Sequence, residues 1–109
     1  MKISDLASLQ TLTCLQEQYT DAEITAGYTS DLLSDVMGNA EEHSVLITIQ
    51  AHKNTVAVSS LAGVSAMIIC NNRPCPEDML EAARDEGIAV FRTSENQFQT
   101  SALIAQQLG

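Results

Sequence analysis

Short apolar runs alternate with amphipathic stretches along this chain, and the alternation predicts its elements in order. Ile3, Leu6, Ala7 and Leu9 have helical spacing, with Ser4 placed to cap them. Leu12 to Leu15 fits a short strand, and Gln16 to Asp21 a polar connection. Glu23 to Tyr28 predicts a strand. Ser30-Asp31 then begins a helix carrying Leu32, Leu33, Val36 and Met37 on one face, with Gly38-Asn39 as its stop. Val45 to Ile49 is a β-branched run suited to a central strand. Asn54 is placed to cap a helix reaching Leu61, with Gly63 just beyond it, and Val64 to Cys70 is a second, near-continuous apolar strand. Pro76-Glu77-Asp78 opens the next helix, since proline suits the first turn and acids oppose the positive dipole end; Gly87 closes it. Ile88 to Phe91 is the last strand, and Asn96 to Leu108 a final helix with Phe98, Leu103, Ile104 and Leu108 as its apolar positions.

Strands that alternate with helices of about ten residues imply βαβ units and a parallel sheet. Continuous apolar strands imply that both faces of that sheet are covered. The expected fold is therefore α/β: one three-layer domain over residues 1–109, with a mainly parallel sheet of four or five strands between helices. The composition agrees, because the core is aliphatic, with two Phe, two Tyr and no Trp.

Charge narrows the partners. Fourteen acids against five bases give a net charge of −9. A phosphate backbone or an anionic membrane surface needs a basic face, and five scattered cations do not make one. No apolar run reaches the length of a membrane span, and Met1-Lys2-Ile3-Ser4-Asp5-Leu6 has no signal-peptide core, so the cytoplasm is the expected location. Cys14, Cys70 and Cys75 form neither a disulfide framework nor a zinc-knuckle spacing.

In open parallel sheets, ligands bind beyond the carboxyl ends of the strands. The four strand-to-helix junctions here are polar where the strands are not: Gly27-Tyr28-Thr29-Ser30-Asp31, Gln50-Ala51-His52-Lys53-Asn54, Asn71-Asn72-Arg73 and Thr93-Ser94-Glu95-Asn96. A parallel sheet brings all four to one rim. The ligand-binding residues expected there are Tyr28, Thr29, Ser30, Asp31, Gln50, His52, Asn54, Asn71, Asn72, Arg73 and Thr93. Several have a structural alternative. Ser30, Asn54 and Asn96 are good N-caps, His52 suits a cap better than a general base, and Asp31 with Asp35 is an ordinary pair one helical turn apart. Arg73, a lone base beside two asparagines, has the strongest case for a ligand.

The motifs of catalysis are missing. The chain holds no G-x-x-x-x-G-K-[ST], no G-x-G-x-x-G and no G-x-S-x-G. His43 and His52 do not make a metal-ligand spacing, and nothing local marks Cys14 or Cys70 as an activated thiol. No catalytic residue, metal or cofactor is expected, and no enzyme activity.

The run Ala26-Gly27-Tyr28-Thr29-Ser30-Asp31-Leu32-Leu33-Ser34-Asp35-Val36-Met37 resembles the short stand-alone DRTGG-domain proteins of anaerobic bacteria. The stretch Ile47 to Val58, the segment from Met67 to Pro76, Glu86-Gly87-Ile88 and Thr93 continue the resemblance, which covers about Ile3 to Leu108. Related domains form the N-terminal part of HPr serine kinase, whose P-loop domain is lacking here, and occur beside CBS domains in regulated pyrophosphatases and in phosphotransacetylases. In the CBS-linked setting the domain contributes to dimerisation near an adenine-nucleotide regulatory site, and the resemblance implies a regulatory, dimer-forming α/β module. The Asp-Arg and Thr-Gly-Gly that name the family fall here on Ala51-His52 and Cys70-Asn71-Asn72. That removes a close backbone approach and a phosphate fork, unless Arg73 substitutes for the latter. The expected function is a non-catalytic regulatory module binding a small ligand, a nucleotide or phosphorylated metabolite, at the rim. The alternative is a dimeric interaction module that regulates a partner enzyme or kinase without a ligand. A symmetric homodimer is expected in either case, because the sheet leaves edges and aliphatic surface to bury.

Overall fold

A right-handed crossover between neighbouring parallel strands puts the connecting helix on one fixed face of the sheet. Repeating the step in one direction keeps every connecting helix on that face. The computed structural model, which describes residues 1–109, is built this way. Strands β2 (Ala26–Thr29), β3 (Ser44–Thr48), β4 (Ala66–Ile69) and β5 (Ala89–Arg92) lie side by side in parallel, and β1 (Thr13–Gln16) pairs antiparallel with β5. The order across the sheet is β1-β5-β4-β3-β2. Helices α2 (Leu33–Asn39), α3 (Lys53–Ala62) and α4 (Glu77–Glu86) pack side by side. The short α1 (Ile3–Leu6) and the final α5 (Gln97–Leu108) cover the other face. This is the expected three-layer domain, with five strands.

The period-2 alternation of the strands sorts the core into two clusters. Val45, Ile47, Ala66, Ile68, Cys70, Ala89 and Phe91 point to the α1–α5 side and meet Ile3, Leu6 and Ile104. Leu46, Met67, Ile69 and Val90 point the other way and meet Val36, Val56, Met79 and Ala83. Every residue of β3 and β4 is buried, the polar Ser44 and Thr48 included, because both faces of the sheet are covered.

Sequence and structure differ at the start of β2, which begins at Ala26 and not at the expected Glu23, and at the helix ends. Ser4 does not cap α1; Lys2 holds that position, and the Ser4 hydroxyl donates to Asp21 instead. Asn54 does not cap α3: the cap is His52, whose Nδ1 accepts the Asn54 N–H at 3.0 Å. Ser30 accepts the Leu32 N–H, but α2 begins only at Leu33, and it runs through Gly38. Of the apolar face expected on α2, Val36 alone is buried, while Leu32 and Met37 face solvent. On α5 the buried residues are Thr100 and Ile104, and Phe98 is 82% exposed. Local apolar spacing marks a helix but does not say how far its neighbour extends to cover it. Gly63 ends α3 as expected, at φ 79° with its N–H on Ser59 and Ser60 carbonyls. A Cβ there would sit 2.7 Å from Glu42 Cγ, so both conformation and space call for glycine.

Candidate functional site at the carboxyl rim

Parallel strands end together, so the four junctions share one edge of the sheet. Adjacent strands are about 4.8 Å apart, which separates the ends of β2 and β4 by roughly 10 Å. Much of the polar chemistry on this rim is spent in joining neighbouring junctions. Asp31 Oδ1 accepts the Thr48 hydroxyl, the Ile49 N–H and the Gln97 amide, each at 2.9 Å. One carboxylate oxygen thereby fastens the β2–α2 turn to the end of β3 and to the first turn of α5. Thr29 Oγ1 meets Ser101 Oγ at 2.7 Å, a second tie to α5.

At the next pair of junctions the turn after β4 locks onto β5. Asn71 N–H donates to Glu95 O, Asn72 N–H to Thr93 O and Arg73 N–H to Cys70 O. Asn71 and Asn72 both take the left-handed conformation, at φ 59° and 50°. Their amides are therefore committed within the chain and do not form an open anion cradle. The Thr93 hydroxyl accepts the Glu95 N–H, and the Thr48 hydroxyl accepts the Gln50 N–H.

Side chains, rather than turn amides, are what this rim presents. Gln50, His52, Asn54, Asn71, Asn72 and Arg73 are exposed; Tyr28, Ser30 and Asp31 are half-buried; Thr93 is buried. Arg73 takes part in neither of the two ion pairs in the molecule, Met1–Glu23 and Arg84–Asp85. The first-turn amides of α5, at Gln97 and Phe98, find no acceptor elsewhere in the chain. Tyr28 points to the other side of β2, where its hydroxyl donates to Asp35 Oδ2 at 2.8 Å. That bond raises the Tyr28 phenol and holds the Asp35 carboxyl below its ordinary range. Asp31 and Asp35 thus face different partners and make no pair. Nowhere do three His, Cys, Asp or Glu side chains gather in a way that could hold a metal ion.

The surface has four shallow concavities. The turn from Asn71 to Arg73, Thr93 and His52 line none of them. Asn54 lines a groove between α3 and α4, and Thr29 one between β2 and α5. Three residues that build the rim carry no signal in the sequence: Gln97, Ser101 and Thr48. Gln97 reads as a first-turn helix residue, and its contact with Asp31 spans 66 positions.

Two successive left-handed residues sit where a Gly-Gly would be most at ease, and asparagine tolerates that conformation better than other side chains. A family model for the DRTGG domain matches residues 16–107. This chain belongs to the DRTGG domain family. The DRTGG fold is also seen in the CBS and DRTGG domains of the regulatory region of Clostridium perfringens pyrophosphatase, crystallised with its activator diadenosine tetraphosphate. The TM-score is 0.74 at 14% identity over 95% of this chain. The match covers 46% of that structure, so this DRTGG chain spans about half its length. No curated protein matches the sequence. No helix is long and apolar enough to cross a membrane.

Proposed function

We propose that this DRTGG domain is a non-catalytic regulatory module that binds a small anionic ligand, a nucleotide or phosphorylated metabolite, at the carboxyl rim of its sheet. The observation that carries the proposal is the gathering of four polar junctions on one edge, with an exposed and unpaired Arg73 among them. The similar regulatory region of the pyrophosphatase takes a nucleotide activator, which agrees in ligand class. Because the turn amides are occupied, a ligand would be held by side chains and by the first-turn amides of α5. Arg73 would supply a charge-assisted fork, with Asn71, Asn72, His52 and Gln50 around it. Asp31 would disfavour bare phosphate on its side and favour hydroxyl groups.

A non-enzymatic role fits the thiols as well. Burial pushes Cys14, Cys70 and Cys75 all above the ordinary thiol value, which disfavours the nucleophilic thiolate at neutral pH. The second reading, an interaction module acting on a partner enzyme or kinase in the cytoplasm, draws on Leu32 and Phe98, which are 64% and 82% exposed.

Thermal-shift screening and calorimetry against AMP, ADP, ATP, diadenosine tetraphosphate and sugar phosphates test the proposal, since a ligand of the folded state raises its melting point. A binder is expected, with affinity lowered by roughly 1.5–3 kcal/mol in Arg73→Ala while the melting point of the unliganded variant stays unchanged. No binder among these compounds at millimolar concentration, or binding indifferent to Arg73→Ala, would remove the site from the rim.

A further inference from the structure

The connecting helices run against their strands, so those that begin at the carboxyl rim end at the opposite edge of the sheet. There β3, β4 and β5 start at Ser44, Ala66 and Ala89, and α3 and α4 stop at Ala62 and Glu86. The carbonyl end of a helix is the negative end of its dipole, and a lysine or arginine in the last turn commonly answers it. α3 has no basic residue in its last turn, and the Arg84 of α4 is already paired with Asp85. Glu86 ends α4, and Glu42 lies against Gly63 at the end of α3. Neither of these two carboxylates takes part in an ion pair.

A concavity of about 290 Å³ opens between these helix ends, at the small end of the range for ligand sites. Its walls are of two kinds. Ile3, Val64 and Ile88 are apolar, while Thr20, His43, Ser60, Ser65 and Glu86 are polar. The Ser60 hydroxyl donates to Glu86 Oε2 at 2.9 Å, which steadies the carboxylate across the gap between α3 and α4. His43 is held in the left-handed conformation at φ 64°, with its N–H on Gly63 O at 2.8 Å and its C=O accepting the Thr25 N–H at 3.0 Å. A non-glycine residue kept there by its surroundings carries strain of a kind that gathers at binding sites. The carboxylate, the hydroxyl oxygens and the two negative helix ends all favour a cation. An ammonium group is their complement, with three donors, a full charge and no acceptor. A metal ion is not, since no three His, Cys, Asp or Glu side chains converge. The apolar wall suits an aliphatic chain.

We infer that this concavity at the amino edge of the sheet is a second ligand site, which takes a small primary amine. The ammonium group meets Glu86 and the hydroxyls of Ser60, Ser65 and Thr20, and the carbon chain lies on Ile3, Val64 and Ile88. The helix dipole that favours an anion at the carboxyl rim favours a cation at this edge, so the two ends of one layer of helices select opposite charges. A net charge of −9 raises the local concentration of cations over the whole surface, but only here do acceptors and an apolar wall share one concavity between helix carbonyl ends. The inference does not depend on the ligand proposed at the rim.

Titration of the whole isotope-labelled chain with n-butylammonium chloride, read by amide chemical shifts against sodium chloride at equal ionic strength, tests this. Saturable shifts are expected at Ser60, Gly63, Ser65 and Gly87, with a dissociation constant in the millimolar range, and n-butanol should not reproduce them. Glu86→Gln keeps an acceptor for Ser60 but removes the charge, and should weaken binding at least about fivefold. Glu81→Gln removes the same charge from α4 outside the concavity and should leave binding unchanged. A lysine supplied from the wall should fill the site itself. Thr20→Lys is therefore expected to melt higher than Thr20→Met and to lose the n-butylammonium shifts, and its gain should vanish when Glu86→Gln is added. Shifts that spread over the acidic surface without saturating, that n-butanol matches, or that Glu86→Gln leaves intact overturn the inference. So does the absence of shifts at these four amides, or a Thr20→Lys variant that melts no higher than Thr20→Met.

Discussion

Replacing Asp31 by alanine is the sharpest test of how this rim is held. The substitution strips one acceptor from three donors at once: the Thr48 hydroxyl, the Ile49 N–H and the Gln97 amide. A hydrogen bond to a charged group contributes about 1.5–3 kcal/mol net, and the contributions of one shared oxygen do not add in full. Asp31 is half-buried, so water can re-satisfy the Gln97 amide, but the Ile49 N–H and the buried Thr48 have less access. A loss of about 3 kcal/mol is therefore expected, a large share of the 5–15 kcal/mol typical of a domain. For a chain near 100 residues each kcal/mol moves the midpoint by about 4–8 °C, so the melting point should fall by roughly 12–24 °C. Urea denaturation followed by circular dichroism measures the change directly. Asp31→Asn keeps an acceptor in place and should cost about 1 kcal/mol. A double-mutant cycle with Gln97→Ala should return a coupling of about 0.5–1.5 kcal/mol. If Asp31→Ala loses less than about 1 kcal/mol, the carboxylate is not the fastening described, and a ligand role becomes its better explanation.

Other consequences can be checked with the same equipment. Ser59 is fully buried and its hydroxyl has no partner, so Ser59→Ala should stabilise the chain by about 0.5–1.5 kcal/mol; a clear loss of stability would mean an unseen partner. Gly63→Ala should destabilise by about 1–3 kcal/mol in urea, through its φ of 79° and the contact with Glu42, and a neutral result would contradict both. Burial raises the Cys70 thiol above its ordinary value of 9.0. A group raised in the folded state contributes stability below its unfolded value and loses it as pH climbs through the folded one, so stability should decline above about pH 9. Cys70 should resist labelling by a disulfide reagent at pH 8 in the native protein, and rapid labelling there would refute the assignment.

Hydrophobic periodicity is a local property, and it sufficed for the strands. Val45 to Ile47 and Ala66 to Cys70 are apolar at every position because both faces are covered, and that is visible without any partner. Gly63 and Gly87 stop their helices through their own backbone freedom, which is also local. The four polar junctions and their gathering on one rim follow from the strand–helix alternation alone.

What those junctions do was decided by contacts across the fold. The pairing of Asp31 with Gln97, and of the Asn71 and Asn72 amides with Glu95 and Thr93, joins residues far apart in the chain. Those bonds commit the turn amides within the chain and leave the side chains as what the rim presents. Coverage was equally beyond local reading: Leu32, Met37 and Phe98 have helical spacing, yet they lie past the reach of the neighbouring layer and face water. A single chain sets its own periodicity, conformational freedom and charge. Which polar group meets which, and which apolar group is left without cover, depends on how elements of finite length stack, and only the assembled sheet and its two helical layers settle that.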